Sequence, residues 1–255
     1  MPKKPSRTAE KRDPKTAAIV FIVVAIIVGA GIFWATSVHR ADAEYVSTYV
    51  PDVPKELPVL DAPPGTKALF FGDSWTVGYH ALPVTQGYAY QAGRALQWDF
   101  AVSGANGTGY LNRGEEGAGT YLDRLKALHV NSSVQLVVLQ GGVSDAFLQL
   151  NDLSAAATAA IDRLREVFPN AQIVMVGLAP TTLPAKPQFA TADHILATAA
   201  AFKSVHYVSP LMDEWITAEN YPWAIDVGAN YAPTTAGHTY LGERLTDALR
   251  TLMRN

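Results

Sequence analysis

Phe70-Phe71-Gly72-Asp73-Ser74 is the stretch that decides the fold, because an apolar run that includes Leu69 stops at a glycine, and an acid and a hydroxyl follow at once. A short apolar run bounded by a turn signal is typical of a buried strand. In an open parallel sheet, ligands bind outside the carboxyl ends of the strands. The stretch therefore predicts a serine presented at a ligand-binding edge, although Gly-Asp-Ser is also typical of a turn followed by a helix cap.

Beyond residue 67, apolar runs alternate with segments of helical periodicity. The predicted strands are Ala68–Phe71, Phe100–Val102, Val134–Leu139, Ile173–Val176 and Val205–Val208. The predicted helices are Gly87–Leu96, Tyr121–Leu128, Leu153–Val167, Ala190–Phe202 and Thr235–Met253. Strands that alternate with helices form βαβ units, so the sequence predicts an α/β domain with a mostly parallel sheet covered on both faces.

Three further segments combine small or polar residues with a neighbouring apolar run. They are Ala101-Val102-Ser103-Gly104, Gly142-Val143-Ser144-Asp145, and Pro233-Thr234-Thr235-Ala236-Gly237-His238-Thr239-Tyr240-Leu241. Together with Gly72-Asp73-Ser74-Trp75, they stand in the order and at the spacing of the sequence blocks of the SGNH, or GDSL-type, hydrolase superfamily. The chain resembles that superfamily from about Lys67 to its C-terminus.

The resemblance implies a flavodoxin-like three-layer sandwich that carries a serine hydrolase site. It makes Ser74 the nucleophile and Gly104 a backbone N–H donor to the oxyanion hole, with Trp75 in the place of the leucine of the family name. Ser144 stands where the family has an asparagine whose side-chain amide completes the hole. Its hydroxyl reaches less far, so Asn106 is an alternative donor.

The catalytic acid and base of the family are missing from their usual place. The family has an Asp-x-x-His pair, usually followed by proline, just before the last helix, and this chain reads Ala229-Asn230-Tyr231-Ala232-Pro233 there. Alanine has no proton-accepting group, so neither Ala229 nor Ala232 can serve. On this register the sequence predicts little hydrolysis of simple esters unless another histidine acts as the base.

Two replacements for the base are open. The first is His238, oriented by Asp226 or by a main-chain carbonyl. Its helical spacing from Leu241, Leu245, Leu249 and Leu252 is equally consistent with a packed histidine in the first turn of the helix. The second is a histidine that folds in from elsewhere, and His80 is the nearest to Ser74 in sequence. The remaining candidates lie in no recognisable motif: His129, His194 and His206.

The sequence favours neither a metal nor a nucleotide cofactor. There is no cysteine, and the six histidines are scattered without a metal-ligand spacing. The glycines of residues 104–109 depart from the dinucleotide-binding spacing, and no P-loop lysine follows them. We therefore expect no cofactor, and we expect Asp73 and Asp145 to hydrogen-bond loop amides and shape the site.

The first 66 residues differ in character from the rest. Six basic and two acidic residues in the segment 1–16 precede 22 uncharged residues, Ala17–Val38, which are long enough for a transmembrane helix. Basic residues remain on the cytoplasmic side, so the segment 1–16 is predicted to be a cytoplasmic tail and the rest of the chain to lie outside a cell membrane that it crosses once. The alternative is secretion after cleavage near Ala43, because Ala41-Asp42-Ala43 resembles a signal-peptidase site.

Residues 39–66 are rich in proline and predict an extended spacer in front of a domain at 67–255. Beyond residue 16 the chain carries 14 basic and 21 acidic groups, a formal charge of about −7, which argues against nucleic-acid binding. Family resemblance and predicted export together favour a serine esterase that acts on a small-molecule or glycan acyl ester, in particular on an envelope carbohydrate. The alternative is a domain that binds an acylated or sugar ligand without hydrolysis.

Overall fold

The computed structural model describes residues 57–115 and 117–254. Within these ranges no helix combines the length and the hydropathy that are needed to cross a bilayer. The predicted tail, the predicted span Ala17–Val38 and most of the predicted spacer lie outside the described residues.

Five parallel strands form the central sheet. They are β1 (Lys67–Gly72), β2 (Asp99–Gly104), β3 (Leu136–Gln140), β4 (Gln172–Val176) and β5 (His206–Val208). Their order across the sheet is β2-β1-β3-β4-β5, the flavodoxin-like order. All five strands predicted from the apolar runs are confirmed to within two residues. The α/β fold with a mostly parallel sheet is confirmed with them.

The helices form a layer on each face of the sheet. They are α1 (Ser74–Val77), α2 (Tyr88–Ala95), α3 (Tyr121–Lys126), α4 (Leu153–Val167), α5 (Pro187–Phe202), α6 (Tyr221–Ala224) and α7 (Thr235–Leu252). Helices α3, α4 and α5 pack on one face, and α2 and α7 pack on the other. Each of the five predicted helices is confirmed, with ends that differ by at most three residues.

The alternation of side chains along β1 divides the core into two halves. Leu69 and Phe71 point to the α3–α4–α5 layer, whereas Ala68 and Phe70 point to the α2–α7 layer. Strands that are buried on both faces favour apolar residues at successive positions, which is why residues 68–71 of β1 and 136–139 of β3 are continuous apolar runs.

The last ten residues of the predicted spacer, 57–66, lie on the domain instead of leading away from it. Leu60 and Ala62 are buried in the α2–α7 half of the core, and the Leu60 N–H donates to the Leu252 carbonyl oxygen at 2.9 Å. Burial of these two side chains holds the segment in place.

Small elements near the site were not predicted. Helix α1 has four residues, and a two-stranded antiparallel ladder joins β6 (Ile225–Asp226) to β7 (Ala232–Pro233). A single 3₁₀ turn, Val227–Ala229, and two left-handed residues, Asn230 and Tyr231, connect these two strands. Such short segments carry no periodicity that a sequence could reveal.

Candidate active site

Ser74 is the first residue of α1 and follows directly from the carboxyl end of β1. The Asp73 side chain accepts hydrogen bonds from the Trp75 and Thr76 N–H groups, at 2.9 and 3.4 Å, and so caps the helix. A side chain at Gly72 would come within 2.6 Å of the Gln140 carbonyl oxygen, so the turn requires glycine. The Gly-Asp-Ser stretch is therefore a helix cap that also presents a serine.

Ser74 lines a pocket of about 230 Å³ beyond the carboxyl ends of the strands. The pocket is lined by Ser74, Trp75, Tyr79, Asn106, Gly107, Glu115, Val143, Ser144, Thr181, Asn230 and Ala232. It brings together two of the predicted site residues, Ser74 and Ser144. Serines on helix α1 and on the loop after β3 therefore line one cavity of a size suited to a small acyl group.

Gly104 ends β2 directly beside Gly72, its register partner in β1. A side chain at Gly104 would lie 2.5 Å from the Asp73 carbonyl oxygen, so only glycine allows this close approach of the backbone. Gly104 lines an adjoining pocket of about 700 Å³. Asn106, the alternative oxyanion donor, lines both pockets.

Asp145 fixes the loop that follows β2. Its buried carboxylate accepts three backbone hydrogen bonds, from Tyr110, Leu111 and Asn112, at 2.8–2.9 Å. Burial raises the pKa of this carboxyl group, and the three N–H donors oppose that effect. The prediction that Asp73 and Asp145 hydrogen-bond loop amides is confirmed for Asp145, whereas the amides that Asp73 accepts from are in the first turn of α1.

The position at which the family resemblance places the catalytic base is occupied by a buried alanine. Ala232 belongs to β7 and lines the Ser74 pocket, which supports the register that assigned it to the base position. Ala229 lies at the end of the 3₁₀ turn and does not line the pocket. None of the histidines in the described part of the chain lines this pocket either.

His238 is fully buried in the first turn of α7, and both of its ring nitrogens are engaged by the backbone. Nδ1 accepts from the Tyr88 N–H at 3.2 Å, and Nε2–H donates to the Tyr79 carbonyl oxygen at 2.9 Å. Burial lowers the pKa of the imidazole to about 4, so the ring is neutral at pH 7. These contacts favour the packing role over the role of general base, because no nitrogen is left to accept a proton from Ser74.

His80 pairs with an acidic residue beside the Ser74 pocket. Its Nε2 lies 2.9 Å from Asp226 Oδ2, and both side chains are more than one third exposed. His80 lines the adjoining 700 Å³ pocket together with Gly104, Asn106 and Glu115. Asp226 therefore pairs with His80 and not with His238.

The other described histidines lie away from Ser74. His129 precedes β3 and His206 begins β5, at the opposite end of the sheet, and His194 is exposed on α5. Within residues 57–115 and 117–254, no cluster of three His, Asp or Glu residues is arranged to hold a metal ion.

A model of the GDSL-like lipase/acylhydrolase family matches residues 70–240. The chain belongs to this family. The match begins in β1, just ahead of Ser74, and ends in α7 at Tyr240, so it spans the sequence blocks described above except for Leu241, the last residue of the final block. No curated protein sequence matches the chain.

Solved structures with the same fold include members of the GDSL-like family and carbohydrate esterases. A family 2 carbohydrate esterase from Corynascus thermopiles (Myceliophthora fergusii) has 21% identity and a TM-score of 0.58, over 77% of this chain and 69% of that one. A family 2 carbohydrate esterase from Clostridium thermocellum, in complex with cellohexaose, has 19% identity and a TM-score of 0.58, over 77% and 67%. A G-D-S-L family lipolytic protein from Desulfitobacterium hafniense has 17% identity and a TM-score of 0.56, over 72% and 99%. At these identities the likeness concerns the fold.

Gln140, at the end of β3, supports the GDSL-like serine loop and was not predicted. With its carboxamide oriented to satisfy its neighbours, its nitrogen donates to Asp73 Oδ1 at 2.8 Å and to Thr76 Oγ1 at 2.6 Å. A glutamine that ends an apolar run is the only signal that the sequence offered for it.

Arg124 of α3 was not predicted either, and it ties two strand ends together beneath the site. Its guanidinium donates to the Gly72 and Ser103 carbonyl oxygens at 2.6 and 2.8 Å, and its Cζ lies 4.2 Å from the centre of the Phe71 ring. Burial lowers the pKa of the group. The sequence held no sign of this role, because an arginine on a short helix is normally solvated.

Proposed function

We propose that the domain is a serine acylhydrolase in which Ser74 attacks the carbonyl carbon of an acyl ester. The observation that carries the proposal is that Ser74, at the first turn of a helix, and Ser144, on a separate loop, line one pocket of about 230 Å³. Membership of the GDSL-like lipase/acylhydrolase family supports it.

The proposed chemistry uses donors that lie in the Ser74 pocket and in the pocket that adjoins it. As the acyl carbon becomes tetrahedral, its oxygen gains negative charge, and preorganised N–H and O–H donors at that position lower the barrier. The backbone N–H groups of Ser74 and Gly104 and the hydroxyl of Ser144 fill this role in the proposal. Asn106, which lines the same pocket, is the alternative to Ser144.

For the substrate we propose an acyl ester of a carbohydrate of the cell envelope. Two carbohydrate esterases of family 2 share the fold, and one of them was solved with cellohexaose. The predicted transmembrane span would hold the domain outside the cell, beside such a polymer. The 700 Å³ pocket that shares Tyr79, Asn106 and Glu115 with the Ser74 pocket offers room for the alcohol part of the ester.

The test compares Ser74→Ala with Ser132→Ala, an exposed serine at the opposite end of the sheet. Two readouts are used: release of acetate from acetylated xylo-oligosaccharides, and labelling of the protein by a fluorophosphonate probe. Ser74→Ala should abolish both, and Ser132→Ala should leave both unchanged. Turnover or labelling that survives Ser74→Ala would contradict the proposal.

A second candidate function is ligand binding without hydrolysis, and a specific observation favours it. Ala232 occupies the base position, and no histidine in the described ranges lines the Ser74 pocket. A serine without a base is a weak nucleophile at neutral pH. Calorimetry with acetylated oligosaccharides tests this candidate. Binding without release of acetate, weakened in a variant with a filled pocket such as Ser144→Phe, would support it.

A further inference from the structure

The exposed pair formed by His80 and Asp226 joins the segment that follows α1 to β6. The Nε2–Oδ2 distance is 2.9 Å, and in the described part of the chain Nε2 is the only ring nitrogen of His80 with a hydrogen-bond partner. Asp226 also accepts a hydrogen bond from the Gly228 N–H at 2.8 Å, which holds its carboxylate in place. An acid that is fixed by a turn and orients one nitrogen of an imidazole leaves the other nitrogen free to accept a proton.

Asp226 lies opposite the position that the family uses for its base. In the β6–β7 ladder, Asp226 is paired with Ala232, and Ala232 lines the Ser74 pocket. Paired residues of an antiparallel ladder have Cα atoms about 4.5–5.5 Å apart. The Asp226 carboxylate is thus anchored beside the site where an imidazole is missing.

The backbone directly before His80 is hydrogen-bonded to Ser74. The N–H of Tyr79, its immediate neighbour, donates to the Ser74 carbonyl oxygen at 2.8 Å. The pocket that His80 lines shares three walls with the Ser74 pocket: Tyr79, Asn106 and Glu115. His80 therefore lines the pocket that directly adjoins the one lined by Ser74.

The backbone of His80 is held in an unfavourable conformation. Its φ is +72°, a left-handed value that costs a residue with a Cβ roughly 1–2 kcal/mol. The neighbouring Leu82 N–H is fixed by Thr235 Oγ1 at 3.1 Å, and Asp226 fixes the ring. Strain of this kind persists where the surroundings impose it, and it is concentrated at functional sites.

We infer that His80, oriented by Asp226, is the general base of Ser74 and replaces the histidine that is absent at residue 232. The inference rests on the proposed acylhydrolase function. The other described histidines do not qualify, because both nitrogens of His238 are engaged and His129, His194 and His206 lie elsewhere.

In the first half of the reaction, the Ser74 Oγ–H proton passes to His80 Nδ1, directly or through one bridging water, as the Oγ–carbon bond forms. The electron pair of the carbonyl double bond moves to the oxygen, and the donors of the oxyanion hole stabilise the negative charge that forms there. Collapse of this intermediate breaks the bond to the alcohol oxygen, which takes the proton from the imidazolium. A water molecule then repeats the sequence on the acyl-serine, and the free acid leaves.

The decisive experiment measures kcat/KM for p-nitrophenyl acetate in the full domain and in three variants. His80→Ala should lower kcat/KM by about 10²-fold or more, the range for loss of a general base. Asp226→Asn should lower it as well, although the amide oxygen keeps the hydrogen bond from Gly228. His129→Ala removes an exposed histidine at the far end of the sheet and should leave the rate unchanged.

Added imidazole separates a chemical role from a structural one. It should restore part of the activity of His80→Ala and none of the activity of Ser74→Ala, because only the first variant keeps its nucleophile. Full activity in His80→Ala, with Ser74→Ala inactive, would overturn the inference and leave the proposed function intact. Loss of turnover in Glu115→Gln but not in His80→Ala would likewise overturn the inference and leave the proposed function intact. A wild-type protein without turnover or fluorophosphonate labelling would contradict both.

Discussion

Asp73, at the residue scale, is a buried carboxyl group that couples the serine loop to pH. Burial raises its pKa from 3.8 to about 6, although the Trp75 and Thr76 N–H groups and Gln140 act in the opposite direction. The folded protein therefore holds this proton more tightly than the unfolded chain. The resulting stability is fully present below about pH 4 and is lost as the pH rises through about 6.

Asp73→Asn should remove this dependence, because an amide keeps the cap acceptor and carries no charge. The free energy of unfolding of the variant minus that of the wild type should rise by up to about 3 kcal/mol between pH 4 and pH 7. This is the free energy that corresponds to the raised pKa of Asp73. Urea denaturation of both proteins at pH 4, 5, 6 and 7 measures it. The charge of Asp145 contributes to the raised pKa of Asp73, so the difference between the two proteins includes this interaction. A difference that is constant with pH would contradict the assignment to Asp73.

Ser144 gives a second prediction at this scale. If its hydroxyl donates to the oxyanion, Ser144→Ala should lower kcat by about 10²-fold, the lower end for loss of one donor, with little change in KM. Steady-state kinetics with p-nitrophenyl acetate measures both constants, and Ser154→Ala on α4 is the control. An unchanged kcat would transfer the role to Asn106 or leave the donor position unused.

The strands and long helices could be predicted from the sequence, at the scale of elements, because each is longer than the period of its apolar pattern. The two-residue strands β6 and β7 have no such pattern, and their pairing depends on the turn at 227–229 and on the left-handed residues Asn230 and Tyr231. The sequence motifs correctly identified Ser74 and Ser144 as residues of one pocket. The His80–Asp226 pair spans 146 positions of sequence, so no spacing rule could reveal it.

Arg124 allows a prediction about how two elements are joined. Arg124→Met should leave the Gly72 and Ser103 carbonyl groups without their charged donor and lower the free energy of unfolding by about 2–4 kcal/mol. Thermal or urea denaturation measures this loss. Lys126→Met, at an exposed position on the same helix, is the matched control and should change the value by less than about 0.5 kcal/mol. Equal effects in the two variants would show that the strand ends do not depend on Arg124.

The N-terminal segment, at the scale of the whole molecule, is the basis of our proposal for where the pocket works. The basic segment 1–16 and the uncharged span Ala17–Val38 place the domain outside the cell in our proposal. Protease added to intact cells should therefore cleave the proline-rich segment between residues 39 and 56 and release the domain. Immunoblotting of cells and supernatant follows the product. Protection of the segment until the cells are lysed would contradict the orientation.

The family assignment and the pocket both draw on most of the domain, since the family match covers residues 70–240 and the pocket is built from loops that follow four different strands and from the β6–β7 ladder. The central claim of our proposal is that the Ser74 pocket is an acylhydrolase site whose usual base position, residue 232, is filled by alanine.

Restoring the family pair tests this claim most directly. In the His80→Ala background, Ala229→Asp/Ala232→His should raise kcat/KM for p-nitrophenyl acetate by about 10²-fold or more, because an imidazole at residue 232 would then line the Ser74 pocket and serve as the base. The increase should vanish when Ser74→Ala is added. A correctly folded triple variant with no increase would contradict the account.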